Sequence, residues 1–297
     1  MSATVPDRSP EFVATEFDGP AEQSRGKRML GLARRKPLLV MGVTLLVLFA
    51  GLAVIGPFFV RDPLSTDVTN TFVAPSGAHW FGTDLFGRDV FARSVHAARL
   101  DLAIGVTIAL IAMFVGTIIG VVSGFFGGAI DELLMRFTDV VLAFPGFVLA
   151  LIIVAALEET IINVILAVSV AFVPYFIRLT RAEVLKEREL EYVDGARLAG
   201  NRSWRVAFRH VLPNSLAPSI VGATLVTGYA VLTVAGLAFL SVGIQPPTAE
   251  WGVMVGEGAK DVITGEWWTS LFPGAMIVVA VMAFHFIGDE FAGETTS

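Results

Sequence analysis

The sequence predicts an all-α integral membrane protein with six transmembrane helices, and three observations carry that prediction. Charged residues make up only 16% of the 297-residue chain against 55% hydrophobic, where soluble globular chains carry about 25% charge. Six apolar runs, at about 37–59, 102–125, 139–157, 161–178, 218–243 and 271–288, approach the roughly 20 residues a helix needs to cross the bilayer core. Basic residues are also unevenly distributed. With the N-terminus inside, the inner segments 1–36, 126–138 and 179–217, together with Arg178 at the edge of the last, hold 16 of the 21 Lys and Arg, as the cytoplasmic bias of positive charge requires.

Taken in order, residues 1–24 hold five acids and one arginine among Pro, Ser and Gly with no apolar period, the composition of a disordered cytoplasmic tail. The stretch "RGKRMLGLARRK" (25–36) places six basic residues directly before the first span, so 25–59 reads as a basic juxtamembrane segment plus helix. That apolar run starts too far into the chain and is too long for a cleaved signal peptide. An outer segment, 60–100, is rich in turn residues and closes on a short helix predicted at 89–100. The second span carries Gly116, Gly120, Gly124 and Gly128 at intervals of four, a smooth stripe against which another helix can pack closely. Residues 130–151 read as one helix running from the first inner loop into the third span, kinked at Pro145. A five-helix core then covers 101–290, with a polar inner loop at 179–217 and an inner C-terminal tail at 291–297. In the outer loop after the fifth span, Trp251, Trp267 and Trp268 read as interfacial aromatics. Both termini fall in the cytoplasm, and the bilayer is the first implied partner.

The residues do not assemble a reactive constellation. The chain has no cysteine, which excludes disulfides and thiolate metal sites. The four histidines (His79, His96, His210, His285) fall on different sides of the predicted membrane, without paired metal spacing. "GTDLFGRD" (82–89) imitates a phosphate loop, but Arg88 stands for its lysine and Asp89 for the hydroxyl residue that would hold magnesium. Asp101, Asp139, Glu158, Glu159 and Asp289 sit at predicted span ends, and His285 alone lies well inside an apolar run, where a hydrogen-bonded bundle residue is expected. Ion-coupled carriers reveal themselves by ionisable groups within spans. No catalytic residue, metal, cofactor or nucleic-acid partner is expected of this chain, and work for transport would have to arrive from outside it.

The exception to the apolar text is "EYVDGARLAGNRSWRVAFRHVLPN" (191–214). A helix is predicted over 181–199; Gly200 and Asn201 supply a turn, since glycine just past a helix end adopts the left-handed conformation. Ser203 is placed to cap a second short helix that Pro213 terminates. Ala196, Leu198, Val206 and Phe208 offer small apolar surface ringed by Arg197, Arg202, Arg205 and Arg209. Such a knob suits a groove on another protein or an anionic lipid surface.

The segment 194–213 resembles the EAA loop of ATP-binding cassette importer permeases: E-A-A, three residues, Gly, nine residues, Ile-x-Leu-Pro. Asp194, Gly195 and Ala196 stand at the E-A-A positions, Gly200 at the glycine and Leu212-Pro213 at the end, with His210 in place of Ile. Two further stretches, "HWFGTDLFGRDVFARSVHAARLDLAIG" (79–105) and "LAFLSVGIQPPTAEWGVMVGEG" (237–258), resemble the C-type permease of dipeptide, oligopeptide and nickel importers. The likeness covers about 30–290. It implies the type I importer permease fold and a heterodimer with a B-type permease. It also implies two ATPase subunits carrying ATP and magnesium, and an extracytoplasmic solute-binding protein. The residues it implies for ATPase coupling are Glu191, Asp194, Gly195, Ala196, Gly200, Ser203, Arg205, Leu212 and Pro213. The outer motif would be Gly82, Thr83, Asp84, Gly87, Arg88 and Asp89, and the outer loop Gln245, Pro246, Pro247, Trp251 and Gly252. The expected function is ATP-driven import of peptides across a prokaryotic plasma membrane, with nickel chelates or another small solute as the alternative cargo and a self-sufficient secondary carrier as the alternative mechanism.

Overall fold

The computed structural model describes residues 36–295. Leu38–Ser297 form one compact unit, and the stretch Met1–Pro37 that clusters apart from it lies almost wholly outside the described residues. With it go the predicted acidic tail and most of the basic juxtamembrane segment.

Among the described residues the chain is helical, with an isolated bridge between Thr83 and Asp89 in place of any sheet. The first span is α1 (Pro37–Ile55), extended by a 3-10 turn at Gly56–Phe58. Its 22 apolar residues reach about 33 Å, enough for the bilayer core. After an outer segment of turns comes α2 (Val90–Phe126), 37 residues long, with Asp89 as its N-cap accepting from the Ala92 N–H. The separate short helix predicted at 89–100 is therefore the outer end of the second span. No proline or glycine lies between residues 90 and 104, so nothing ends the helix at Leu100, and its ~55 Å length carries it beyond the membrane.

The third span differs from the single kinked helix that the sequence predicts. It breaks into α3 (Gly128–Leu142) and α4 (Gly146–Ala156), bent by 85°. Pro145 takes φ −55 and ψ 126, outside the helical region. Proline disfavours helical geometry at the residue before it and removes an N–H from the ladder, and Gly146 follows. At 11 residues, α4 is only ~16 Å long and cannot cross alone. Among the described residues five helices are thus long and apolar enough to span by themselves, and the bent pair counts as a sixth when it is taken as one span.

Thr160 caps α5 (Ile161–Glu187), which packs along α2. The glycine stripe explains how closely: a Cβ at Gly116 would stand 2.8 Å from the Val173 carbonyl oxygen, at Gly120 2.8 Å from that of Ile177, and at Gly124 3.0 Å from that of Arg181. Gly128, the fourth of the row, faces open space at φ +58 and serves the α2–α3 turn instead. Thr180 Oγ1 of α5 adds polar contacts, 3.4 Å from Thr117 Oγ1 on α2 and 3.0 Å from Ser219 Oγ on α9 (Ala217–Phe239). The outer helix α10 (Trp251–Gly258) and the last span α11 (Trp268–Thr295) complete the bundle. Helix α11 continues to Thr295, past the predicted start of the tail.

Two of four buried apolar clusters among the described residues join the largest number of spans. One joins Ile104 and Ile108 of α2, Ala150 and Val154 of α4, and Val164 and Val168 of α5. The other joins Phe49, Val90, Val231, Trp251 and Ile277. Outside them, large apolar side chains such as Val47, Phe114, Ile162 and Val278 are exposed around the bundle, as a lipid-facing surface requires.

Candidate functional site

The inner helix pair is built on the ends of α2 and α5. The predicted helix over 181–199 is interrupted: α5 stops at Glu187 and α6 (Glu191–Leu198) begins after Leu190, which is extended at ψ 145. No breaker residue occupies 188–190, so the interruption belongs to the tertiary contacts on either side. Arg188 Nη1 donates to the Gly124 carbonyl at 2.8 Å, and Val193 is fully buried among Val121, Phe125 and Val184. Glu191 and Asp194 lie in the first turn of α6, where carboxylates complement the helix dipole.

Gly200 closes α6 at φ +79. Its N–H donates to the Arg197 carbonyl at 2.9 Å, and the Asn201 N–H donates to that of Ala196 at 3.3 Å. These are the two bonds of a Schellman cap, which favours glycine because a Cβ is strained there. The second helix starts as α7 (Ser203–Val206). Ser203 is its first residue, and Arg202 holds the cap position without a side-chain bond, so the predicted serine cap is not formed. Pro213 does not end the helix either. A π-helical turn at Ala207–Val211 widens the backbone where the proline ring would otherwise meet a carbonyl, and the helix continues as α8 (Leu212–Ser215).

The base of this pair is apolar and buried, through Val193, Val206, Ala207 and Val211, with Ala196, Phe208 and Leu212 packed beside them. Its outward surface is the reverse. Leu198 is 89% exposed and Trp204 53%, while Glu191, Asp194, Gly195, Gly200, Ser203, Arg205 and Pro213 are exposed around them. Arg197 pairs with Asp194 at 3.1 Å and lies over the Phe125 ring. Of the residues singled out from the spacing, Glu191, Asp194, Gly195, Gly200, Ser203, Arg205 and Pro213 are exposed together, while Ala196 and Leu212 pack into the buried base.

The outer motif is a folded cap. Asp84 Oδ2 accepts from Arg88 Nε at 2.6 Å and from Arg93 Nη1 at 2.7 Å, while its other oxygen takes the Arg88 and Phe86 N–H groups. Both guanidiniums reach Glu257 of α10. Thr83 accepts from the Val73 N–H and donates to the Asn70 carbonyl, and His79 Nδ1 stands 2.7 Å from Asp89 Oδ2. Gly82 and Gly87 take φ +74 and +68, and a Cβ at Gly87 would overlap the Asp67 carbonyl.

In the outer loop, Gln245 Nε2 donates to Glu159 and to the Ser241 carbonyl, and the Pro246–Pro247 bond is cis. Gly252 lets α10 touch the α9 backbone at Ala235. Two of the three tryptophans are not interfacial. Trp251 is fully buried, its Nε1 donating to Ser94 O at 3.0 Å, and Trp268 Nε1 donates to Thr83 O at 3.1 Å. Only Trp267 is substantially exposed.

Several residues escaped sequence reasoning. Arg93 and Glu257 are 164 positions apart, beyond any local pattern. Asp101 is buried within α2, and its Oδ2 accepts from the Trp251 N–H at 3.0 Å. Glu250 caps α10 through the Val253 N–H and burial pushes its carboxyl up to about 7. A charged residue in apolar text was the available signal for Asp101. His285 does lie in the bundle, Nδ1 3.0 Å from Val281 O and its ring edge-on to Tyr229. Among the described residues no three His, Asp or Glu side chains gather as a metal site would need.

The family model described as binding-protein-dependent transport system inner membrane component matches residues 116–292, a range that takes in the inner helix pair and the outer loop. The probable D,D-dipeptide transport system permease protein DdpC of Escherichia coli (strain K12) is 36% identical over 273 residues, 91% of each chain. The dipeptide transport system permease protein DppC of Alkalihalophilus pseudofirmus is 40% identical over 257 residues, 86% of this chain and 84% of its own. The glutathione transport system permease protein GsiD of Pectobacterium atrosepticum is 36% identical over 248 residues, 82% of each. With likeness of this extent running through its spans and loops alike, this multi-pass chain belongs to the binding-protein-dependent transport system inner membrane components, a family of transport subunits and not of enzymes.

Proposed function

We propose that this chain is the C-type permease subunit of an ATP-driven peptide importer, and that its inner helix pair is the handle by which an ATPase subunit moves the bundle. The observation that carries the reading is the protruding pair itself. Leu198 and Trp204 are exposed at the tip of a unit whose foot, at Val193 and Val206, is buried between α2 and α5. An apolar tip on a short helix suits insertion into a protein cleft, and the buried foot passes movement to two spans.

The partners in this reading are a B-type permease, two ATPase subunits that bind ATP and magnesium, and an extracytoplasmic binding protein. Both termini lie in the cytoplasm of a prokaryotic cell, and the outer cap around Asp84 and Glu257 faces the binding protein. Nucleotide-driven closure of the ATPases would tilt the spans as rigid bodies and alternate access to a central path. The dipeptide cargo in the names of two relatives supports peptides over nickel chelates as cargo.

The test is reconstitution of the five components with a labelled dipeptide. The wild type should co-purify with the ATPases and accumulate the peptide only with ATP, while deletion of residues 194–206 or Gly200→Trp should abolish both. If uptake survives without the ATPases, the reading fails in favour of a self-sufficient carrier.

A further inference from the structure

The bent span is attached to the rest of the bundle in an unusual way. Helix α3 leaves α2 through two consecutive glycines in the left-handed region, Gly127 at φ +64 and Gly128 at φ +58, and a Cβ at Gly128 would meet nothing within 4 Å. Such a joint resists rotation weakly. The helix buries a single residue, Thr138, so apolar packing ties it down little. An apolar cleft of about 250 Å3, lined by Val115 and Ile119 of α2, Phe137 and Val141 of α3, and Val173 and Ile177 of α5, separates it from its neighbours.

Against this loose packing stands one strong polar tie. Arg181 of α5 grips Asp131 with both arms, Nε to Oδ1 at 2.7 Å and Nη2 to Oδ2 at 2.6 Å, and Ser123 Oγ of α2 donates to the same carboxylate. Bidentate guanidinium–carboxylate pairs are among the strongest and most directional polar contacts. The second tie, Arg178 to Asp139 at 2.7 Å, is more than half exposed on both sides and is worth less. Arg181 sits one turn from Val184, which packs in the cluster that carries Val193 and Val206 of the inner pair.

We propose that Asp131 and Arg181 are positioning residues for transport, their ion pair being the strut through which displacement of the inner helix pair reaches the bent span α3–α4. The inner pair and the ends of α2 and α5 share one apolar cluster and move together. The Gly127–Gly128 joint transmits little torque, and the cleft leaves α3 room to pivot. Displacement therefore enters α3 at Asp131. The inference rests on the importer reading, and its test separates the two.

The chain has no cysteine, so spin labels can be placed cleanly at Phe114→Cys on α2 and Phe144→Cys at the bend, both exposed. The interspin distance is measured in the complete reconstituted complex, nucleotide-free and trapped with ATP and vanadate. The background without strut substitutions should show a nucleotide-dependent shift. Asp131→Asn should lose that shift while keeping its ATPase association and basal hydrolysis, a combination that a merely structural residue would not produce. Arg181→Lys, which keeps the charge but not the fork, should lose most of it, and the charge-swapped pair D131R with R181D should regain it. A full shift in Asp131→Asn overturns the strut, as does the lack of any shift in an assembled complex without strut substitutions. If no strut variant assembles, the pair serves folding alone and the proposal falls. Failure of the chain without strut substitutions to bind the ATPases would instead sink the importer reading.

Discussion

Arg93 on the outer part of α2 and Glu257 on α10 lie 2.9 Å apart across 164 residues of chain, with the guanidinium 2% exposed. Together with Asp84 and Arg88 they lock the outer cap onto the bundle.

Removing one member should therefore be costly. Arg93→Met leaves Asp84 and Glu257 short of a partner, and losing one side of a buried pair costs about 3–5 kcal/mol. The unfolding midpoint in detergent should fall accordingly, with Glu257→Gln losing less because its side chain is 24% exposed. A midpoint unchanged in Arg93→Met would show that the cap is held by its backbone bonds instead.

The α2–α5 contact makes a second prediction. Gly120→Leu forces a side chain against the Ile177 carbonyl and Thr180, and overpacking of this kind costs about 1–3 kcal/mol or more. Gly51→Leu on α1, where nothing lies within 4 Å, is the control and should leave thermal stability unchanged. Equal losses in both would argue against close packing through the glycine stripe.

Glu250 gives a pH dependence with a defined sign. Burial pushes its carboxyl up to about 7 in the folded chain from an ordinary 4.5, so between those values the folded state holds a proton that the unfolded state has lost. Its contribution to stability is fully present below about 4.5, declines as pH rises and has gone above about 7, at up to roughly tenfold in the unfolding equilibrium per pH unit. Asp101 is the carboxylate facing it, and α1 and α9 beside it carry no charge. Unfolding midpoints measured across that range should slope downward with pH in the wild type and less steeply in Glu250→Gln. An equal slope in both assigns the dependence elsewhere.

At the inner tip, stability and partner binding should separate. Leu198→Asp alters a side chain that is 89% exposed, so the unfolding free energy should change by no more than about 0.5 kcal/mol, while co-purification with the ATPases is lost. Val193→Asp at the buried foot should damage both. Retained co-purification in Leu198→Asp would move the docking surface away from the tip.

Much of this architecture is written locally. Apolar length places the spans because a helix satisfies its own backbone bonds in lipid. The four-residue glycine period marks the α2–α5 contact, and Gly200-Asn201 announces the Schellman turn because both its bonds close within six residues. Local text misled where a choice depended on distant partners. Pro145 broke the third span, whereas Pro213 left the second inner helix continuous through a π-helical turn; Ser203 ceded the cap to Arg202, and Trp251 went to the core instead of the interface.

Sequence alone was sufficient for the membrane class, the spans that close by themselves and the spacing of the inner helix pair, since each depends on interactions within a few turns of chain. The tertiary structure alone decided which charges meet. Arg93 with Glu257, Arg181 with Asp131 and Asp101 with the Trp251 backbone are contacts between helices, and the energy of each depends on burial and distance, which are properties of the packed bundle and not of any one segment.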